Sequence, residues 1–149
     1  MYAGGDLDAL ASVHQFALDL RAYIAHRPAH LVKMDHWFEN LRAYNRKEEE
    51  NQACGCIGGS GVFLLAQRGS EEALEIVRSP LPVGPFVRRL VCRNLGIPVA
   101  ESYGLFNVAE WPRDLRSAWQ FARSDEARRG LVLARLDRFI EEKWGTQVA

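Results

Sequence analysis

The sequence predicts an all-α protein, a compact single-domain bundle of about six to seven helices around a small-residue, Gly-rich central helix. Apolar residues recur every three or four positions in several segments, and the alternation typical of half-buried strands is nowhere sustained. The stretch 53–67 is small or apolar at nearly every position, which is typical of a helix buried on all sides. A chain of 149 residues, 48% hydrophobic and 26% charged, suits one globular domain over 1–149.

The N-terminal third predicts two helices and a loop. The first helix is expected to run from an Asp6 cap to about His26, and Pro28 stops it. A short second helix is expected over 34–44, because its apolar residues share one side. The polar, charged segment 45–53 predicts an exposed loop or a frayed helix end.

The remainder predicts the central helix and several more. A Gly and then Ser70 with two acids indicate a new helix start after the central helix, and the Pro-rich stretch 79–85 predicts a connector. Pro112 is suited to the first turn of a helix, and Ser124 is suited to cap the last one. The helices expected after the connector cover 86–95, 99–106, the stretch after Pro112, and 125–144.

Charge and composition favour a cytoplasmic protein that needs no cofactor. Lys+Arg and Asp+Glu are equal at 19 each, so no overall field attracts nucleic acid or an anionic membrane. No stretch approaches the roughly 20 apolar residues of a membrane-spanning helix, and the start lacks the basic and apolar regions of a signal peptide. The three cysteines, an odd number, are expected to be thiols.

The Cys54-Gly55-Cys56 segment is the sharpest local feature. A Cys-x-Cys pair can bind a soft metal or cycle between thiol and disulfide, with His36 as a candidate helper. A helix that starts near Cys56 would lower the pKa of its thiol through unpaired backbone N–H groups. The competing interpretation, which we favour, is that these cysteines are small core residues at a tight helix entry.

The glycines of 55–61 precede a helical run, so their backbone N–H groups could cradle an anion. No Gly-Lys-Ser/Thr follows, and no strand precedes them as in a dinucleotide-binding fold. Close packing between helices is therefore the favoured explanation.

Tryptophan and arginine side chains are the candidates for contact with another protein, because these types anchor interfaces. The candidate interface residues are Trp37, Trp111, Trp119, Arg88 and Arg89. The same tryptophans could instead be core residues. The C-terminal half also carries many arginines among aromatic residues, which can indicate nucleic-acid binding, but acids are interleaved with them and disfavour it.

Several short motifs occur in a recognisable order: Met-Asp-His-Trp-Phe at 34–38, Cys-Gly-Cys-Ile-Gly-Gly at 54–59, Leu-Gly-Ile at 95–97, Leu-Phe at 105–106, Trp-Pro at 111–112, and Ala-Arg-Leu-Asp-Arg-Phe-Ile at 134–140. This order resembles a loose group of small bacterial and phage proteins with Met-x-x-Trp-Phe, Cys-Gly-x-x-x-Cys-Ile-x-Gly and Leu-Phe…Trp-Pro segments. The cysteines are closer together here than in that pattern. The resemblance implies a compact helical domain and no stated activity.

We therefore expect a small helical protein-binding or regulatory module without catalytic activity, of the kind found in phages and mobile elements, with another protein as its partner. A thiol-redox or metal site at Cys54 and Cys56 is the first alternative. Nucleic-acid binding through the C-terminal arginines is the second.

Overall fold

The computed structural model describes residues 4–145, with side chains from residue 9 onward. Within this range the chain forms seven α-helices and a two-stranded antiparallel sheet, so the predicted all-α bundle is confirmed. The helices are α1 (Gly4–His26), α2 (Ile57–Gln67), α3 (Glu71–Arg78), α4 (Gly84–Leu95), α5 (Val99–Phe106), α6 (Arg113–Phe121) and α7 (Asp125–Trp144). The strands are β1 (Phe38–Glu39) and β2 (Cys54–Gly55).

The Gly-rich helix α2 lies at the centre of the bundle, as predicted. Every residue from Ile57 to Leu64 is buried, and the helix contacts α1, α3, α4 and α5. A Cβ added at Gly61 would lie 3.0 Å from both methyl groups of Val91, so the missing side chain lets α4 approach closely. The helix begins at Ile57 with Cys56 as its N-cap, so the predicted start near Cys56 is confirmed, and the two residues before Cys56 form β2.

Local signals place most of the other helix ends. The Ser70 hydroxyl accepts a hydrogen bond from the Ala73 amide at 3.3 Å, and the Ser124 hydroxyl accepts one from Ala127 at 3.0 Å. Both predicted caps are confirmed. The first helix begins at Gly4, so the predicted start at an Asp6 cap is wrong.

The helix predicted over 34–44 does not form. The segment contains bends, β1 and a short 3-10 turn, and Asn40 adopts a left-handed conformation with φ 56°. Its backbone hydrogen bonds go to the β2 region instead: Lys33 N donates to Gly55 O at 3.1 Å, and Cys56 N donates to Trp37 O at 3.3 Å. Pairing with a distant segment has therefore replaced the local helix.

The segment 45–53 folds back against α1 around Arg27, which is only 1% exposed. The Arg27 guanidinium donates to Glu48 Oε1 at 2.6 Å, to Ala53 O at 2.9 Å and to Asn51 O at 3.0 Å. The Tyr23 hydroxyl donates to the second oxygen of Glu48 at 2.6 Å. Much of the segment is exposed, as predicted, but Glu48, Asn51 and Ala53 are held by the buried Arg27.

We expect Arg27→Met to destabilise the protein by about 3–5 kcal/mol, because two buried backbone carbonyls and the partly buried Glu48 would lose their partner. The free energy of unfolding in urea measures this change. The matched control is Arg21→Met, which removes an exposed ion pair with Asp137 and should cost less than about 1 kcal/mol. Equal losses of unfolding free energy in the two variants would contradict the conclusion that Arg27 holds the segment 45–53 in place.

Candidate functional site

The structure brings four of the eight predicted site residues to one cavity of about 300 Å³. The residues that line it are Met34, Asp35, His36, Trp37, Cys56, Arg88, Phe106 and Asn107. The cavity thus joins residues that the sequence suggested for two different roles, the thiol site and the protein interface.

Trp37 packs closely against three glycines. A Cβ added at Gly59 would lie 2.0 Å from the Trp37 carbonyl oxygen, and one at Gly58 would lie 2.5 Å from the indole ring. At Gly84, the first residue of α4, it would lie 2.8 Å from the indole nitrogen. The expectation that these glycines serve close packing holds, but at Gly58 and Gly59 the group packed is a loop tryptophan rather than a helix.

Arg88 extends from α4 into a cluster of aromatic rings. Its Cζ lies 4.0 Å from the ring centroid of Tyr103, 5.0 Å from that of Trp37 and 5.8 Å from that of Phe106. Its Nη1 donates to the Ser102 hydroxyl at 2.8 Å. Among the described residues no carboxylate lies within 4.0 Å of the guanidinium, so the cation is held by rings and one hydroxyl without a counter-charge.

A second cavity, of about 500 Å³, shares Trp37 and Arg88 with the first and opens outward between α4 and α5. Val99 and Tyr103 line it, and the ring of Phe86, which lines a neighbouring third cavity, contacts Arg89 beside it. We call this region the Arg88 surface, and it consists of Trp37, Phe86, Arg88, Arg89, Val99 and Tyr103. Phe86 is 55% exposed, Tyr103 46% and Val99 41%, so this part of the molecule presents apolar area to solvent.

A third cavity, of about 330 Å³, lies on the far side of Phe86, between α3 and α4. Glu72 and Arg93 line it and form an ion pair at 2.7 Å. The charge of that arginine is already matched within the protein, in contrast to the charge of Arg88.

Trp111 is not an interface residue. Its indole N–H donates to Leu105 O at 2.9 Å and the side chain is 2% exposed, so the prediction that it contacts a partner is wrong. It is a core residue whose single polar atom is satisfied by the backbone. Trp119, half-buried against Trp111 and Arg128, lines none of the three cavities.

The cysteine pair is split between a strand and a helix cap. Burial raises the pKa of the Cys56 thiol to about 11, although the Gly59 amide donates to Sγ at 3.4 Å and acts in the opposite direction. Burial also raises the pKa of Cys54, which is half-buried. The expected lowering of the Cys56 pKa at the helix start is therefore wrong, because loss of solvation outweighs the backbone N–H groups. No group of three or more His, Cys, Asp or Glu residues within the described range is placed to share a metal ion.

The C-terminal arginines mostly have partners within the protein. Arg138 forms a two-pronged ion pair with Asp114, and Arg129 and Arg135 donate to backbone carbonyls. Arg135 is also buried. These contacts reduce the basic surface on which the nucleic-acid hypothesis depends.

Sequence reasoning missed Tyr103, Val99, Phe86 and Ser102. Only Phe86 carried a local signal, since it precedes Arg89 by one helical turn. The others reach Arg88 through the packing of α5 on α4, which no local pattern encodes.

No helix in the part of the chain that the structure describes is both long and apolar enough to cross a membrane. No protein-family model matches the chain, and the searches of curated proteins and of solved structures return no significant match.

We expect Gly59→Ala to destabilise the protein by at least about 3 kcal/mol, because the new methyl group would displace the backbone of Trp37. The control is Gly130→Ala on α7, where a Cβ meets nothing within 4 Å and helix propensity predicts a gain of up to about 1 kcal/mol. Urea unfolding of both variants provides the comparison. A neutral Gly59→Ala would show that the Trp37 segment is not tightly seated.

The raised pKa of Cys56 predicts a loss of stability in alkali. The thiol loses its proton near pH 9.0 in the unfolded chain but only near pH 11 in the folded protein. The stabilising contribution is thus full below pH 9 and falls as the pH rises towards 11, by up to about 1.4 kcal/mol per pH unit. Cys56→Ala should flatten the fall in unfolding free energy over this range, and Cys54→Ala should flatten it less. If the unfolding free energy of wild type and of Cys56→Ala falls in parallel with rising pH, the pKa of Cys56 is not raised in the folded protein.

Proposed function

We propose that this protein is a protein-binding module that holds a segment of another protein on the Arg88 surface. The observation that carries the proposal is the exposure of Phe86, Val99 and Tyr103 around two arginines that form no ion pair at 4.0 Å or less among the described residues. Aromatic rings and arginines in this arrangement are the usual anchors of protein interfaces. Trp37, Arg88 and Arg89, three of the predicted interface residues, contribute to it.

The charges of the surface favour an acidic partner segment. Arg88 and Arg89 lie at the second cavity, and neither forms an ion pair at 4.0 Å or less among the described residues. An acidic residue in the partner would supply the missing counter-charge, and apolar residues beside it would cover Phe86 and Tyr103. Two unpaired arginines next to exposed apolar rings suit a mixed peptide better than a phosphate backbone, which requires an extended basic track.

The geometry supports the thiol and metal hypothesis less well than it supports protein binding. Both cysteines of the pair have pKa values raised by burial, which disfavours the thiolate that either chemistry requires. Cys56 instead serves the structure, since its Sγ caps α2 and its amide donates to Trp37.

Selection of random peptides displayed on phage tests the proposal. Peptides that combine an acid with apolar residues should be enriched on the wild-type protein. The double variant Phe86→Ala/Tyr103→Ala should weaken binding of the selected peptides at least about 30-fold, since an anchor residue contributes about 2 kcal/mol or more.

The matched control is Leu10→Ala/Phe121→Ala, which removes two large side chains that are 60% and 73% exposed and lie outside the Arg88 surface. This variant should retain binding. Failure to enrich any peptide, or equal losses in the two double variants, would count against the proposal. The Arg88 surface could instead bind a second copy of this chain, and sedimentation of the free protein tests that case. A dimer that Phe86→Ala/Tyr103→Ala dissociates, and that the control variant does not, would overturn the proposal of a foreign partner.

A further inference from the structure

We infer that Arg88 is a receptor for a carboxylate: an acidic side chain of the bound segment enters the 300 Å³ cavity beside Trp37 and pairs with the guanidinium. This inference rests on the proposed function, because it names the group by which the partner segment is recognised.

The hydrogen bonds around Arg88 leave most of its donors available. The Ser102 hydroxyl donates its own proton to Val99 O at 2.5 Å, so towards Arg88 it can only accept. This arrangement fixes one edge of the guanidinium through Nη1. A guanidinium carries five N–H donors, and Ser102 is the single acceptor that the described residues supply to Arg88.

The aromatic rings pack around the guanidinium and accept no conventional hydrogen bond from it. Tyr103 and Trp37 approach with ring-to-cation distances of 4.0 and 5.0 Å. An attraction between a cation and a ring uses the face of the ring, whereas a carboxylate binds the N–H edge of the guanidinium with two parallel hydrogen bonds. The guanidinium is therefore held in place before any ligand arrives, which reduces the entropy that binding would otherwise cost.

The cavity has the size and lining for one acidic side chain. A volume of about 300 Å³ is at the lower end of ligand sites and does not accommodate a large cofactor. Its other polar residues include His36 and Asn107, which can donate to an anion. Because the cavity shares Trp37 and Arg88 with the open second cavity, an acid inserted here would stay connected to a chain lying across the Arg88 surface.

Among the residues that the structure describes, Asp35 is the one carboxylate that lines the cavity. It is exposed and does not pair with Arg88 within 4.0 Å. Its negative charge should repel an incoming acid. This residue provides a test that leaves all contacts of Arg88 in place.

The experiment is a two-dimensional NMR titration of the full chain that follows the Arg88 Nε–H and Trp37 Nε1–H signals. The probe is N-acetyl-glutamate N-methylamide, and the neutral control is the corresponding glutamine compound. The glutamate probe should give saturable shifts, and the glutamine compound should give none. Arg88→Lys, which keeps the charge and loses the planar fork, should bind at least tenfold more weakly. Arg93→Lys, on the same helix but outside the Arg88 surface and paired with Glu72, should match wild type.

A second variant keeps the test decisive if Arg88→Lys disturbs folding. Asp35→Asn should bind the glutamate probe severalfold more tightly than wild type, because it removes the repulsive charge. Equal affinity for the two probes, wild-type affinity in Arg88→Lys, or weaker binding in Asp35→Asn would each overturn the inference. Tighter binding of N-acetyl-phenylalanine, which presents a terminal carboxylate, or of inorganic phosphate would also overturn the assignment to an acidic side chain.

The inference and the proposed function fail in different ways. If the selected peptides lack an acidic residue but still lose binding in Phe86→Ala/Tyr103→Ala, the protein-binding function stands and the role of Arg88 as a carboxylate receptor is refuted. If the glutamate probe binds but the selection enriches no peptide, the carboxylate site stands and the protein-binding function is refuted.

Discussion

The contact between Trp37 and the first turn of α2 is the constraint on which the candidate site depends. The Trp37 carbonyl lies where Gly59 would carry a side chain, and the indole ring lies over Gly58 and Gly84. These glycines allow a non-helical loop to pack directly on the central helix and on the start of α4. Trp37 then forms one wall of the cluster that surrounds Arg88. A larger residue at 58 or 59 would remove that wall.

Two arginines show how the surroundings distinguish a structural role from a binding role. Arg27 is buried and donates to a carboxylate and two backbone carbonyls, so its charge and its donors are satisfied within the protein. Arg88 is only half-buried, donates to one hydroxyl and lies under aromatic rings. The first arrangement fixes the segment 45–53 against α1. The second leaves an oriented cation beside a cavity, which is the condition for recognising an anion from outside.

Cys56 illustrates the competition between two local effects. Its position at the start of a helix lets a backbone N–H group donate to the sulfur, which favours the thiolate. Full burial disfavours the charged form more strongly, and the pKa rises to about 11. The sign of the shift is therefore set by burial in the folded protein and not by the cysteine motif.

The sequence by itself determined the helical class, the central position of the Gly-rich segment and the Ser70 and Ser124 caps, because these follow from local periodicity, side-chain size and backbone hydrogen bonding within a few residues. It also singled out Trp37, Arg88 and Arg89. Only the tertiary structure decided that 34–44 is not a helix, since its backbone pairs with residues near Gly55, almost twenty positions later. Only the tertiary structure placed Trp111 in the core and Tyr103 beside Arg88. These outcomes depend on contacts between segments that are distant in the chain, and local patterns of residues carry no record of such contacts.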